Sequence, residues 1–76
     1  MMRSVFGYNA EVKKGKEAAM KYCQSWQNEI TMTGAALTKD LMGKKIDKVT
    51  YNKKREALNK QTKDLNDCIQ SLNRQL

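Results

Sequence analysis

The sequence predicts an all-α fold, an antiparallel helical hairpin, and three observations carry that expectation. The 76 residues include no proline and only four glycines, and their Lys, Gln, Leu, Ala and Met favour long helices over a sheet. Apolar residues recur at helical spacing along two stretches separated by Gly43. Two cysteines, Cys23 and Cys68, lie on the apolar face of different stretches or at its edge, at depths that an antiparallel hairpin would bring level.

The first helix is expected from Val12, with Asn9 as N-cap and Glu11 suitably acidic in the first turn. Ala19, Tyr22, Cys23, Trp26, Ile30, Leu37 and Leu41 then share a stripe within about 60° of the Trp26 direction at 100° per residue. Residues 1–8 precede it as a flexible tail. Thr31, Thr33 and Gly34 are weak helix formers, so a break near Thr33 would give three helices, with Thr33 capping a short piece through Leu41.

Gly43, followed by Lys44 and Lys45, has the composition of a helix C-terminus. Asp47 is the expected N-cap of the next helix. There Tyr51, Leu58, Thr62, Leu65, Ile69, Leu72 and Leu76 lie within about 40° of one direction, with Lys53, Lys60, Lys63 and Arg74 pointing away, so the helix is expected to run close to Leu76. Setting Cys23 level with Cys68 puts Trp26 against Leu65, Ala19 against Leu72 and Thr33 against Leu58. The turn then falls at Met42 to Asp47, where glycine and cap already place it.

One small helical domain over 1–76 has a thin core, and two-helix hairpins bury one stripe per helix. Three remedies are open: a Cys23–Cys68 disulfide, a third helix folded across the pair, or a homodimer forming a four-helix bundle. The disulfide is the first expectation. Closing a loop of roughly 45 residues would contribute about 4 kcal/mol in the chain-entropy model. It would also place the mature chain, its leader removed, in the periplasm or outside the cell. Two cysteines and no histidine are too few ligands for a zinc site, and no metal or cofactor is expected.

The chain carries a formal charge of +7, and Lys39 to Lys63 holds nine basic residues against Asp40, Asp47 and Glu56. Lys44, Lys45, Lys48, Lys53, Lys54 and Arg55 gather around the turn and the start of the second helix, the candidate partner-binding residues. Such a patch attracts anionic partners. Nucleic acid is less favoured than a protein or an anionic envelope component, because lysine far outnumbers arginine, the usual reader of base edges and phosphate forks. No stretch approaches the ~20 apolar residues of a membrane span.

Catalysis is not expected: there is no histidine, no cysteine beside a base and no glycine-rich phosphate loop. Asp64 and Asp67 fall on the polar side of the second helix, Trp26 in the core, and Met20, Met32 and Met42 off the stripe. The reading is a non-enzymatic exported protein acting by binding another macromolecule, of inhibitor, immunity, exclusion or accessory-factor type. The alternative is a cytoplasmic basic protein, both thiols reduced, binding nucleic acid or an acidic protein.

Overall fold

The computed structural model describes residues 3–74 and holds three helices: α1 over Val5–Lys14, α2 over Lys16–Met42 and α3 over Lys48–Arg74. Among the described residues there is no strand. The fold is all-α, as expected. Helices α2 and α3 form the antiparallel hairpin, and α1 doubles back along the first half of α2, touching both partners. The result is a rod about 44 Å long and 15 to 17 Å across.

The third helix is found at the N-terminus, which corrects two expectations. In place of a flexible tail over 1–8, Ser4 caps α1: its backbone is extended and its hydroxyl accepts from the Gly7 amide at 3.4 Å. Asn9 and Val12, expected to start the first long helix, lie inside α1, and Tyr8 is buried. Met1 and Met2 lie outside the described residues, as do Gln75 and Leu76, on which the expected end of the last helix falls. Gly15 separates α1 from α2 at φ 135, a conformation that glycine adopts without a Cβ clash. Its amide donates to Val12 O, and its carbonyl accepts from Ala19 N, both at 3.1 Å. One residue thus closes one helix and opens the next.

Helix α2 runs through Thr33 without the expected break. The physical reason is tertiary packing, which overrides weak propensity. A Cβ on Gly34 would lie 3.1 Å from Arg55 Nη1 and 3.4 Å from Leu58 Cδ2, so the missing side chain admits α3. The Thr38 hydroxyl donates to the Gly34 carbonyl at 3.1 Å and stays within the helix.

Gly43 caps α2, yet the left-handed residue is Lys44, at φ 59. Lys45 N donates to Asp40 O at 2.8 Å and Lys44 N to Leu41 O at 3.1 Å, the paired bonds of a Schellman ending. Asp47 caps α3 as expected, Oδ1 accepting from Thr50 N at 2.7 Å and its carbonyl from Tyr51 N at 2.9 Å.

Trp26 and Leu65 are fully buried at the centre of the core. The indole Nε1 donates to Gln61 Oε1 at 2.9 Å, satisfying the one polar atom of the largest core side chain. Around them stand Ala19, Ile30, Leu37, Leu58 and Leu72, with Tyr8 contributed by α1.

The expected disulfide is absent: Cys23 and Cys68 are both free and buried. They occupy opposite flanks of the α2–α3 seam. Cys23 faces a hollow with Met20, Ile69, Leu72 and Asn73, while Cys68 faces one with Val5, Tyr8 and Asn9 from α1. The hairpin is therefore not stapled, and α1 supplies the wall that thickens its core.

Candidate binding surface

The turn between α2 and α3 is built by its hydrogen bonds rather than by its charges. The Schellman ending and the Asp47 cap leave the Lys44, Lys45 and Lys48 side chains exposed, with Ile46 half-buried beneath them. Beside them is an open hollow of about 600 Å³, lined by Leu41, Ile46 and Thr50 together with Lys44, Lys45 and Asp47. Hydrogen bonds from the Thr50 side chain and amide hold the Asp47 carboxyl below its usual range.

Lys53, Lys54 and Arg55 are also exposed but stand further along α3, seven residues from Lys48 to Arg55, or about 10 Å at the helical rise. The structure groups the first three cations at the turn. It sends Arg55 back over Gly34 and Lys54 to the opposite flank of the seam, beside Leu37 and Leu58. The sequence expectation of one six-residue cluster is thus divided.

Lys44, Lys45 and Lys48 make no ion pair among the described residues, and Asp47 is the one carboxylate sharing their hollow. Among the described residues the ion pairs are Arg3 with Glu29 and Lys14 with Glu11, both far from the turn. Lys44 and Lys45 follow the C-terminus of α2, where the helix dipole favours cations. Lys48 sits at the N-terminus of α3, where the dipole opposes a cation, and no acid stands in that first turn. Its placement does not serve helix stability. Two apolar side chains flank the cations: Met42 and Val49 are 79% and 62% exposed. At 100° per residue Val49 stands about 180° from Leu58, so helical spacing itself turns it outward.

Away from the turn, Phe6 on α1 and Met32 on α2 are exposed, and Met20 more moderately. Both thiols are held neutral. Burial pushes Cys23 up, and it pushes Cys68 up to about 11, helped by the charges of Cys23, Asp64 and Asp67. The same burial, with both thiols nearby, raises the Tyr8 hydroxyl, which has no hydrogen-bond partner. These thiols are packing groups rather than nucleophiles at neutral pH.

Among the described residues no cluster of His, Cys, Asp or Glu could hold a metal ion, and no helix is long and apolar enough to cross a membrane. No protein-family model matches the chain, and neither a curated protein nor a solved structure matches it. Fold and surface together define a class: a basic three-helix protein in which a long hairpin carries its cations at one end.

Proposed function

We propose that the protein is a non-enzymatic binding protein that engages an anionic macromolecule, an acidic protein surface in the first instance, through the turn of its hairpin. One observation carries this: Lys44, Lys45 and Lys48 are exposed and make no ion pair among the described residues, with Asp47 the one acid in their hollow, and Lys48 stands where the dipole of its own helix disfavours it. Met42 and Val49 beside them would give a contact its desolvated part, as aliphatic groups within a charged rim do at interfaces. An inhibitor or accessory factor needs no more machinery than this.

The sequence case for an exported protein rested on a crosslink between Cys23 and Cys68. With both thiols serving as packing groups, that support is withdrawn. A cytoplasmic setting, where both stay reduced, is the reading these free thiols favour.

The test uses fluorescent polyglutamate as the probe. Binding should weaken steeply with salt, because exposed charges are screened over about 8 Å at physiological ionic strength. Changing Lys44, Lys45 and Lys48 together to Glu should abolish it while helicity and melting stay nearly unchanged. Binding that survives both treatments would remove the turn from the account.

A further inference from the structure

The chain's own α1 shows how a helix fits this hairpin. It lies along the flank of α2 that carries Tyr22 and Glu29, held there by Ser4 and Arg3. On α3 it meets Cys68, Asp64, Asp67 and Ser71. Stepping along α2 from Glu29 by helical intervals leads to Thr33, Ala36 and Asp40; stepping back along α3 from Cys68 leads to Gln61, Ala57 and Lys54. These residues line a second groove of about 490 Å³. Both grooves therefore belong to one channel on the same flank of the seam. Helix α1 covers its first half, and the half nearer the turn is uncovered.

The uncovered half has the chemistry of a helix seat. Its floor is Leu37 and Leu58, and its walls include the exposed Ala36 and Ala57, small enough to let a second backbone approach. From Thr33 to Asp40 it spans seven residues, about 10 Å, or two turns of an occupying helix. Cations stand along both rims. Lys39 lies three residues beyond Ala36, Lys53 and Lys60 lie four before and three after Ala57, and Lys54 is in the lining itself. All four are exposed; the acids among them are Asp40 in the lining and Glu56, three residues after Lys53 and four before Lys60, so cations outnumber acids along the rims.

We infer that this half-channel is a docking site for an acidic amphipathic helix of a partner protein, laid end to end with α1. The inference rests on the reading of the chain as a binding protein but not on the turn as its contact. A second copy of the chain fits less well. Docked antiparallel, it would carry its own basic turn toward Arg3 at the start of α1; docked parallel, it would set the two basic turns side by side. An acidic helix meets attraction on both rims and apolar surface below, the helix-in-groove mode of recognition.

The experiment uses the whole chain, isotope-labelled in its methyl groups, and two designed peptides of identical Leu, Ala and Glu composition, one patterned as an amphipathic helix and one scrambled. The patterned peptide should shift the Ala36, Leu37, Ala57 and Leu58 methyl signals saturably, and the scrambled one should not. Ala57→Glu, at an exposed position that leaves the core intact, should weaken the patterned peptide at least tenfold, whereas the triple reversal at Lys44, Lys45 and Lys48 should weaken it less. Three outcomes would overturn the inference. One is no saturable methyl shift; another is equal binding of both peptides abolished by the triple reversal, which would leave the turn as the whole contact. The third is methyl shifts that follow protein concentration without peptide, which would assign the groove to a second copy.

Discussion

Tyr22 and Ser4 are joined twice: the phenol oxygen accepts from the Ser4 amide at 2.8 Å and donates to the Ser4 carbonyl at 3.0 Å. The same ring lies under the Arg3 guanidinium, 5.5 Å from its centroid, and edge-on to Trp26 at 6.0 Å. Tyr22 thereby fastens the start of α1 to the centre of the core. Tyr22→Phe should cost about 1 to 2 kcal/mol through two modest hydrogen bonds, read as a fall of several degrees in melting temperature.

Gly7 tests the same contact from the α1 side. A Cβ there would lie 2.0 Å from the Tyr22 oxygen, so Gly7→Ala must turn the ring away from Ser4 and forfeit both bonds. Alanine favours a helix over glycine by about 1 kcal/mol, which offsets only part of that loss. Thermal denaturation should place Gly7→Ala below the parent chain; a rise in melting temperature would show that α1 does not sit against Tyr22.

Trp26→Ala should cost about 3 to 5 kcal/mol, because the indole is fully buried. Gln61→Leu should cost about 1 to 3 kcal/mol by leaving the indole N–H unpaired. Denaturant titration measures both. Native fluorescence should be blue-shifted and move to the red on unfolding.

The turn offers a separation of stability from binding. Lys44 holds a left-handed backbone that costs an L-residue about 1 to 2 kcal/mol, so Lys44→Gly should raise the melting temperature while weakening polyglutamate binding. Gly15→Ala should do the reverse of stabilising, since φ 135 strains any side chain although nothing lies within 4 Å of the added Cβ.

Alkaline pH should weaken the fold through Cys68. Its folded value is raised to about 11, so its contribution is full below the unfolded thiol value, near 8.5, and is lost as pH rises toward 11. Circular dichroism melts across pH 8 to 11 should show the decline, and Cys68→Ala should flatten it.

Much of the hairpin was legible in the sequence: the two stripes, Trp26 in the core, the Asp47 cap and the position of the turn all follow from helical spacing and capping chemistry. Residue numbers fixed the level of Cys23 and Cys68 but left their azimuth unused. At 100° per residue Cys23 stands about 60° from Trp26 and Cys68 about 60° from Leu65, with opposite sign, which in an antiparallel pair places them on opposite flanks. The N-terminal helix was not legible, because α1 is a short segment anchored by contacts with Tyr22 and Glu29 that sequence spacing does not reveal. The expected break at Thr33 is absent because α2 stays packed on α3 on both sides of it, through Ile30 and Leu37, and Gly34 faces Arg55 and Leu58. In the surface, the basic turn was legible, and the division of its cations between flanks was not.

Oxidative crosslinking tests most directly the claim that α1, rather than a disulfide, completes this core. Native protein treated with copper–phenanthroline, then denatured and alkylated without reductant, should gain two alkyl groups per chain by mass spectrometry, because Cys23 and Cys68 are buried on opposite sides of the seam. A chain that gains none, with its monomer mass otherwise lower by two hydrogens, would contradict the arrangement.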